Sequence, residues 1–199
     1  MSSVKLKAPL GGSVTLSSVD TATDYTLTVP AANATVITTA SSANITQSML
    51  GAGVAGTGPA FSAYINASTQ SLSNATWTKL TFNAEEFDTA SCFDTSNYRF
   101  TPTIAGYYQV NLSMYFDYTG SQFSNAAGAI YKNGSAFKNV SQQGWGGYGT
   151  GIVSALIYMN GTTDYLEGYA YISGGSGPTI LSNSSANITF FQASLTRAA

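Results

Sequence analysis

The stretch from Tyr98 to Tyr118, YRFTPTIAGYYQVNLSMYFDY, constrains the fold more than any other part of the chain. Beyond a turn at Ala105-Gly106, Tyr108, Val110, Leu112, Met114, Phe116 and Tyr118 fall on one side of an extended backbone. Tyr107, Gln109, Asn111, Ser113, Tyr115 and Asp117 fall on the other. A period of two held for this long predicts a β-strand with one face buried and one wet.

The text after Pro59 supplies partners for it. Strands are predicted near 61–65, 77–82, 98–100, 106–118, 126–132, 136–140, 152–159, 164–173 and 186–196. Asn133-Gly134 between two of them predicts a type I′ hairpin, and Asn160-Gly161 a second tight turn. Antiparallel strands in this number predict a two-sheet jelly roll rather than an open sheet. The segment 164–173 is apolar on both faces, with Leu166, Ala170 and Ile172 on one and Tyr165, Tyr169 and Tyr171 on the other. Such a strand at a domain surface needs cover, and self-association is the simplest source.

The text before Pro59 reads differently. Short strands are predicted at 14–16, 25–29 and 35–38, too little to build a core alone. Residues 1–40 therefore read as an attachment or trimerisation arm, with Val14, Leu16, Tyr25, Leu27, Val29, Val36 and Ile37 as its apolar contacts. Residues 41–58, rich in Gly and Ser, read as a linker that includes a helical turn near 45–50, and 59–199 as the head.

Composition removes several functions. The 199 residues carry a net charge of −2, so no basic footprint for nucleic acid exists. There is no His and a single Cys, which excludes a His-dependent triad, a His/Cys zinc site of the usual kind and an intrachain disulfide. Cys92 reads as a small buried hydrophobe. Only 8% of residues are charged, against roughly 25% in an average domain, which points to a surface covered by copies or partners. No apolar run reaches membrane-helix length, and MSSVKLKAPLGG has no hydrophobic region of a signal peptide. Synthesis in a cytoplasm is the expectation. Asn-x-Ser/Thr sequons recur, as at Asn111, Asn133 and Asn160, because residues two apart share one wet strand face.

In order, FSAYI, WTKLTFNAEEFD, YRFTPTIAGYYQVNLSMYF, GAIYKNGSAF, VSALIYMNGTTDYLEGYAYISG and ITFFQASL resemble the landmarks of the C1q/tumour-necrosis-factor jelly rolls. The most specific part is the set Phe100, Pro102, Ala105, Gly106, Tyr107 and Tyr108, together with the final aromatic strand. The resemblance implies a compact homotrimer, and no Gly-X-Y collagen stalk accompanies it. The segment GGSVTLSSVDTATDYTLTVPAANATVITT is similar to short segments of tailed-bacteriophage virion proteins. Together the two imply a virion surface protein, with partners in itself and in the major capsid protein or another virion protein. With no long shaft, a capsid decoration (cement) protein is expected. The alternative is a tail-fibre or head-fibre knob that contacts a host surface glycan.

Candidate sites follow from these readings. Tyr107, Tyr115, Tyr165, Tyr169 and Tyr171 are the expected trimer interface, where a symmetry axis partners their hydroxyls. Trp145 and Tyr148, in the Gly-rich stretch 142–151, either stack on a ligand, fold back onto the head or pack across the three-fold axis. Glu85, Glu86, Asp88 and Asp94 match no fixed Ca²⁺ motif and read as a solvated loop, so no cofactor is expected. The few acids sit in turn-like text, and no enzymatic activity is expected.

Overall fold

The computed structural model describes residues 3–7, 13–17, 58–66, 69–118, 123–143, 147–174, 177–182 and 187–199. The chain forms two compact units, Met1–Ser41 and Ser42–Ala199.

In the first unit β1 (Ser3–Lys7) and β2 (Ser13–Ser17) pair antiparallel, with Val4 opposite Leu16 and Leu6 opposite Val14. The strand expected at 14–16 is present. Ser3–Lys7 was not anticipated, because two apolar residues alternating with lysines are too weak a pattern to stand out. The strands expected at 25–29 and 35–38, with Tyr25, Leu27, Val29, Val36 and Ile37, and the helical turn at 45–50 lie outside the described residues.

The second unit is a sandwich of antiparallel sheets. Its strands are β3 (Ala60–Tyr64), β4 (Thr69–Ser71), β5 (Thr78–Lys79), β6 (Ala84–Asp88), β7 (Phe93–Asp94), β8 (Arg99–Phe100) and β9 (Gly106–Tyr118). There follow β10 (Asn125–Lys132), β11 (Ser135–Gln143), β12 (Gly147–Met159), β13 (Leu166–Ser173), β14 (Thr179–Leu181) and β15 (Phe190–Ala198). One sheet runs β11-β10-β13-β8-β7, with β5 also on β13. The other runs β4-β14-β9-β15-β3-β6, and β12 pairs with the opposite edge of β9 over its full length.

The alternation in β9 does what its sequence predicts. Tyr108, Val110, Leu112, Met114 and Phe116 are fully buried and meet Leu166, Ala170 and Ile172 of the facing sheet in one core. At one end Phe61 stacks on Phe93 and Phe100, with ring centroids 4.7 and 4.6 Å apart. The Tyr108 hydroxyl is inside this core and donates to the Ile104 carbonyl at 2.8 Å. Cys92 is buried in the same cluster. The Asn133-Gly134 turn has both residues at positive φ (53° and 79°), as a type I′ hairpin requires. The Asn160-Gly161 turn instead carries the chain from β12 in one sheet to β13 in the other.

Two strand expectations change. The segment 77–82 is a ladder only at Thr78–Lys79. It leaves β13 in one sheet and enters β6 in the other; Leu80 N still donates to the Gly168 carbonyl of β13 (2.9 Å), and Leu80 and Phe82 are both buried. Within the stretch 142–151, residues 144–146 lie outside the described residues. Residues 142–143 end β11 and 147–151 begin β12. The short strands β4, β7 and β14 carry too few residues for any period to show.

Candidate functional site

The outward faces of the two sheets differ in how well the chain covers them itself. On the β9–β12 sheet, inward residues alternate with Tyr107, Gln109, Asn111, Ser113 and Tyr115 on β9. On β12 the buried Val153, Ile157 and Met159 alternate with exposed Ile152, Ser154, Leu156 and Tyr158. Ile152 is 63% exposed and Leu156 54%, values unusual for large aliphatics that share one strand face. Tyrosine pairs frame them. Tyr107 packs on Tyr158 at 5.5 Å, and Tyr115 stacks on Tyr148 at 5.7 Å. Between them lies a polar band, in which Gln109 Nε2 donates to Ser154 Oγ (2.9 Å) and Ser154 Oγ to Asn111 Oδ1 (2.8 Å). Among the described residues no strand pairs with the outer edge of β12, so a long ladder edge sits beside the apolar stripe.

The β10–β13 sheet is different. Tyr169 stacks on Tyr131 at 3.9 Å, Tyr171 packs on Trp77 at 5.4 Å, and the Arg99 guanidinium lies 3.7 Å above the Tyr165 ring. Between these rings Glu167 is buried, and its Oε1 accepts from Lys79 Nζ (2.7 Å), Arg99 Nε (3.0 Å) and Arg99 Nη2 (2.8 Å). Burial alone would raise the Glu167 carboxyl, but the hydrogen bonds and charges of Lys79 and Arg99 outweigh it and hold the group below its ordinary value. The chain therefore covers the tyrosine face of β13 with its own side chains.

The five tyrosines expected to share an interface thus divide. Tyr107 and Tyr115 lie on one outer face of the sandwich, and Tyr165, Tyr169 and Tyr171 on the other. Tyr148 is 60% exposed, but on strand β12 and against Tyr115, not in a loop; Trp145 lies outside the described residues. Ile152, Leu156 and Tyr158 were missed. Their signal was available, since 152–159 is also apolar on both faces.

Three acids of this stretch accept hydrogen bonds from backbone and side-chain groups of the head. Asp88 accepts from Phe93 N (2.7 Å) and Ala90 N (3.1 Å), Glu86 from Ser62 Oγ (2.6 Å) and Asn187 Nδ2 (2.7 Å), and Asp94 from Ser96 and Asn97. Glu85, beside Asp88, is raised by burial first and by that neighbouring charge second. Among the described residues no cluster of three acid, His or Cys side chains could hold a metal ion. A second acid, Asp164, ties the two Asn-Gly turns together. It takes Asn133 Nδ2 (2.7 Å) and Asn160 N (3.0 Å) and pairs with Lys132 (2.8 Å).

No family model and no curated protein sequence matches the chain. Among solved structures it is similar to the tumour-necrosis-factor protein Eiger of S. frugiperda, at a TM-score of 0.53 and 12% identity over 71% of this chain and 95% of that one. It also aligns with the globular domain of zebrafish complement 1qA, at a TM-score of 0.47 and 15% identity, covering 71% and 99%. Identities this low speak for the fold alone. The chain carries a C1q/TNF-like antiparallel jelly roll.

Proposed function

We propose that the protein is a non-enzymatic, self-associating surface head, a homotrimer whose subunits meet through the β9–β12 face. The observation that carries this reading is the exposed stripe of Ile152, Leu156 and Tyr158 beside an edge of β12 that pairs with no described strand. A long ladder edge next to exposed aliphatics invites uncontrolled pairing unless a defined partner covers it. An edge of one copy meeting the face of the next is a heterologous contact, which makes a ring when its rotation closes. A trimer is the ring that the resemblance to the C1q/TNF jelly rolls implies. The interface is thus assigned to Tyr107, Tyr115, Tyr148, Ile152, Leu156 and Tyr158, and Tyr165, Tyr169 and Tyr171 are released from it.

The place of this head is a tailed-bacteriophage particle. It decorates and stabilises the capsid, and residues 1–40 bind the major capsid protein or another virion protein. The support is the similarity of the N-terminal segment to phage virion proteins and the short length between arm and head. Copy number in purified particles tests this. Quantitative mass spectrometry should return hundreds of copies per capsid, and a dozen or fewer would replace the decoration reading with that of a tail or head fibre.

A further inference from the structure

Strand β10 presents Asn125, Ala127 and Ala129 to the outer face of its sheet, while its neighbours there carry larger groups. Ser141 and Tyr171 face Ala127 from the two sides, and Asn139 and Tyr169 face Ala129. Small residues between large ones leave a trough of about 360 Å³, within the size range of small-molecule sites. One wall is aromatic, formed by Trp77 and Tyr171, and the opposite wall is polar, formed by Asn139 and Ser141. Packing of Tyr131 on Tyr169 covers Ala129 and closes one end. At the other end Asn125 has its Oδ1 buried with no hydrogen-bond partner among the described residues.

We infer that this trough binds one ring of a neutral saccharide. Its lining contains no charged side chain, which gives no basis for selecting an ionic ligand. A purely apolar ligand would strip water from the exposed Asn139 and Ser141 without replacing the lost hydrogen bonds. A sugar ring satisfies both walls. Its C–H face lies against an indole or phenol ring, and its hydroxyls reach the amides and the serine. Asn139 and Ser141 make no side-chain hydrogen bond to any described residue, so they are free to receive them. The site is on the face opposite the proposed interface and does not depend on that assignment.

The test uses the full-length Trp145→Phe protein, in which Trp77 is the only indole left of two. Its fluorescence is titrated with maltotriose, cellotriose, N-acetylchitotriose, mannotriose and β-galactobiose. At least one should produce a saturable change, and Asn139→Ala with Ser141→Ala should weaken it at least tenfold. Ser141→Phe, at an exposed edge-strand position, should fill the trough and abolish the change with the melting temperature preserved. No saturable response from the whole panel would overturn the assignment. So would a response that survives Ser141→Phe, or binding by the wild-type protein that the Trp145→Phe protein has lost, since the sugar would then sit at Trp145.

Discussion

Replacing Glu167 by Gln tests whether the chain itself holds the tyrosine face of β13. The carboxylate is 3% exposed and receives three charged hydrogen bonds from Lys79 and Arg99. Breaking a fully buried pair costs about 3–5 kcal/mol, because the partner charge is left without compensation. Here the partner side chains are 27% and 33% exposed and can turn partly to water, which lowers the expected cost to about 2 kcal/mol. For a unit of this size that corresponds to a fall in Tm of about 4–8 °C at neutral pH. The pH dependence has a defined sign. The folded-state pKa lies below the ordinary 4.5, so the stabilisation is present above that value and is lost as pH falls through the folded pKa. Calorimetry at stepped pH should therefore show wild type and variant converging below about pH 4, near the unfolded-state carboxylate range. A difference under about 0.5 kcal/mol at pH 7, the level of an ordinary surface change, would refute the reasoning. A gap that stays constant on acidification would refute it equally.

Three further outcomes follow from the geometry. A methyl group added at Gly128 would sit 2.0 Å from Met114 Cε and 2.5 Å from its Sδ, the movable end of a flexible side chain, so Gly128→Ala should cost about 1 kcal/mol; chemical denaturation should show that this cost shrinks when Gly128→Ala is made in a Met114→Ala background. Tyr169→Lys, on the face covered within the chain, should leave the oligomeric state by light scattering unchanged, while Ile152→Glu with Leu156→Glu should yield smaller species, since burying unpaired carboxylates costs several kcal/mol. Deletion of residues 1–40 should leave a head with the circular dichroism of the full chain that no longer co-sediments with particles stripped of this protein. Equal co-sedimentation would move the attachment surface to the head.

The sandwich was legible because its longest strand keeps one period throughout. Gly106–Tyr118 was delimited from sequence alone, and the Asn133-Gly134 hairpin came from turn chemistry that only positive-φ residues satisfy. Ladders that depend on distant segments were not legible. Thr179–Leu181 exists as a strand because Phe116 and Gln70 flank it, and nothing local marks it. The doubly apolar strands followed the same division. Two strands, 152–159 and 164–173, are apolar on both faces, and the sequence does not say which face the chain covers itself. The structure decides it, since Trp77, Arg99 and Tyr131 come from three separate segments to cover β13, while Ile152 and Leu156 stay exposed. Alternation reports that a side chain needs cover, but the source of that cover is a matter of topology.

The central claim is that the exposed β12 edge exists to be covered by another copy. Native mass spectrometry of the full-length wild-type protein at micromolar concentration tests it most directly. The account predicts a single closed species at three times the 20.7 kDa chain mass, without a ladder of larger assemblies. A soluble 20.7 kDa monomer that persists at that concentration would contradict it.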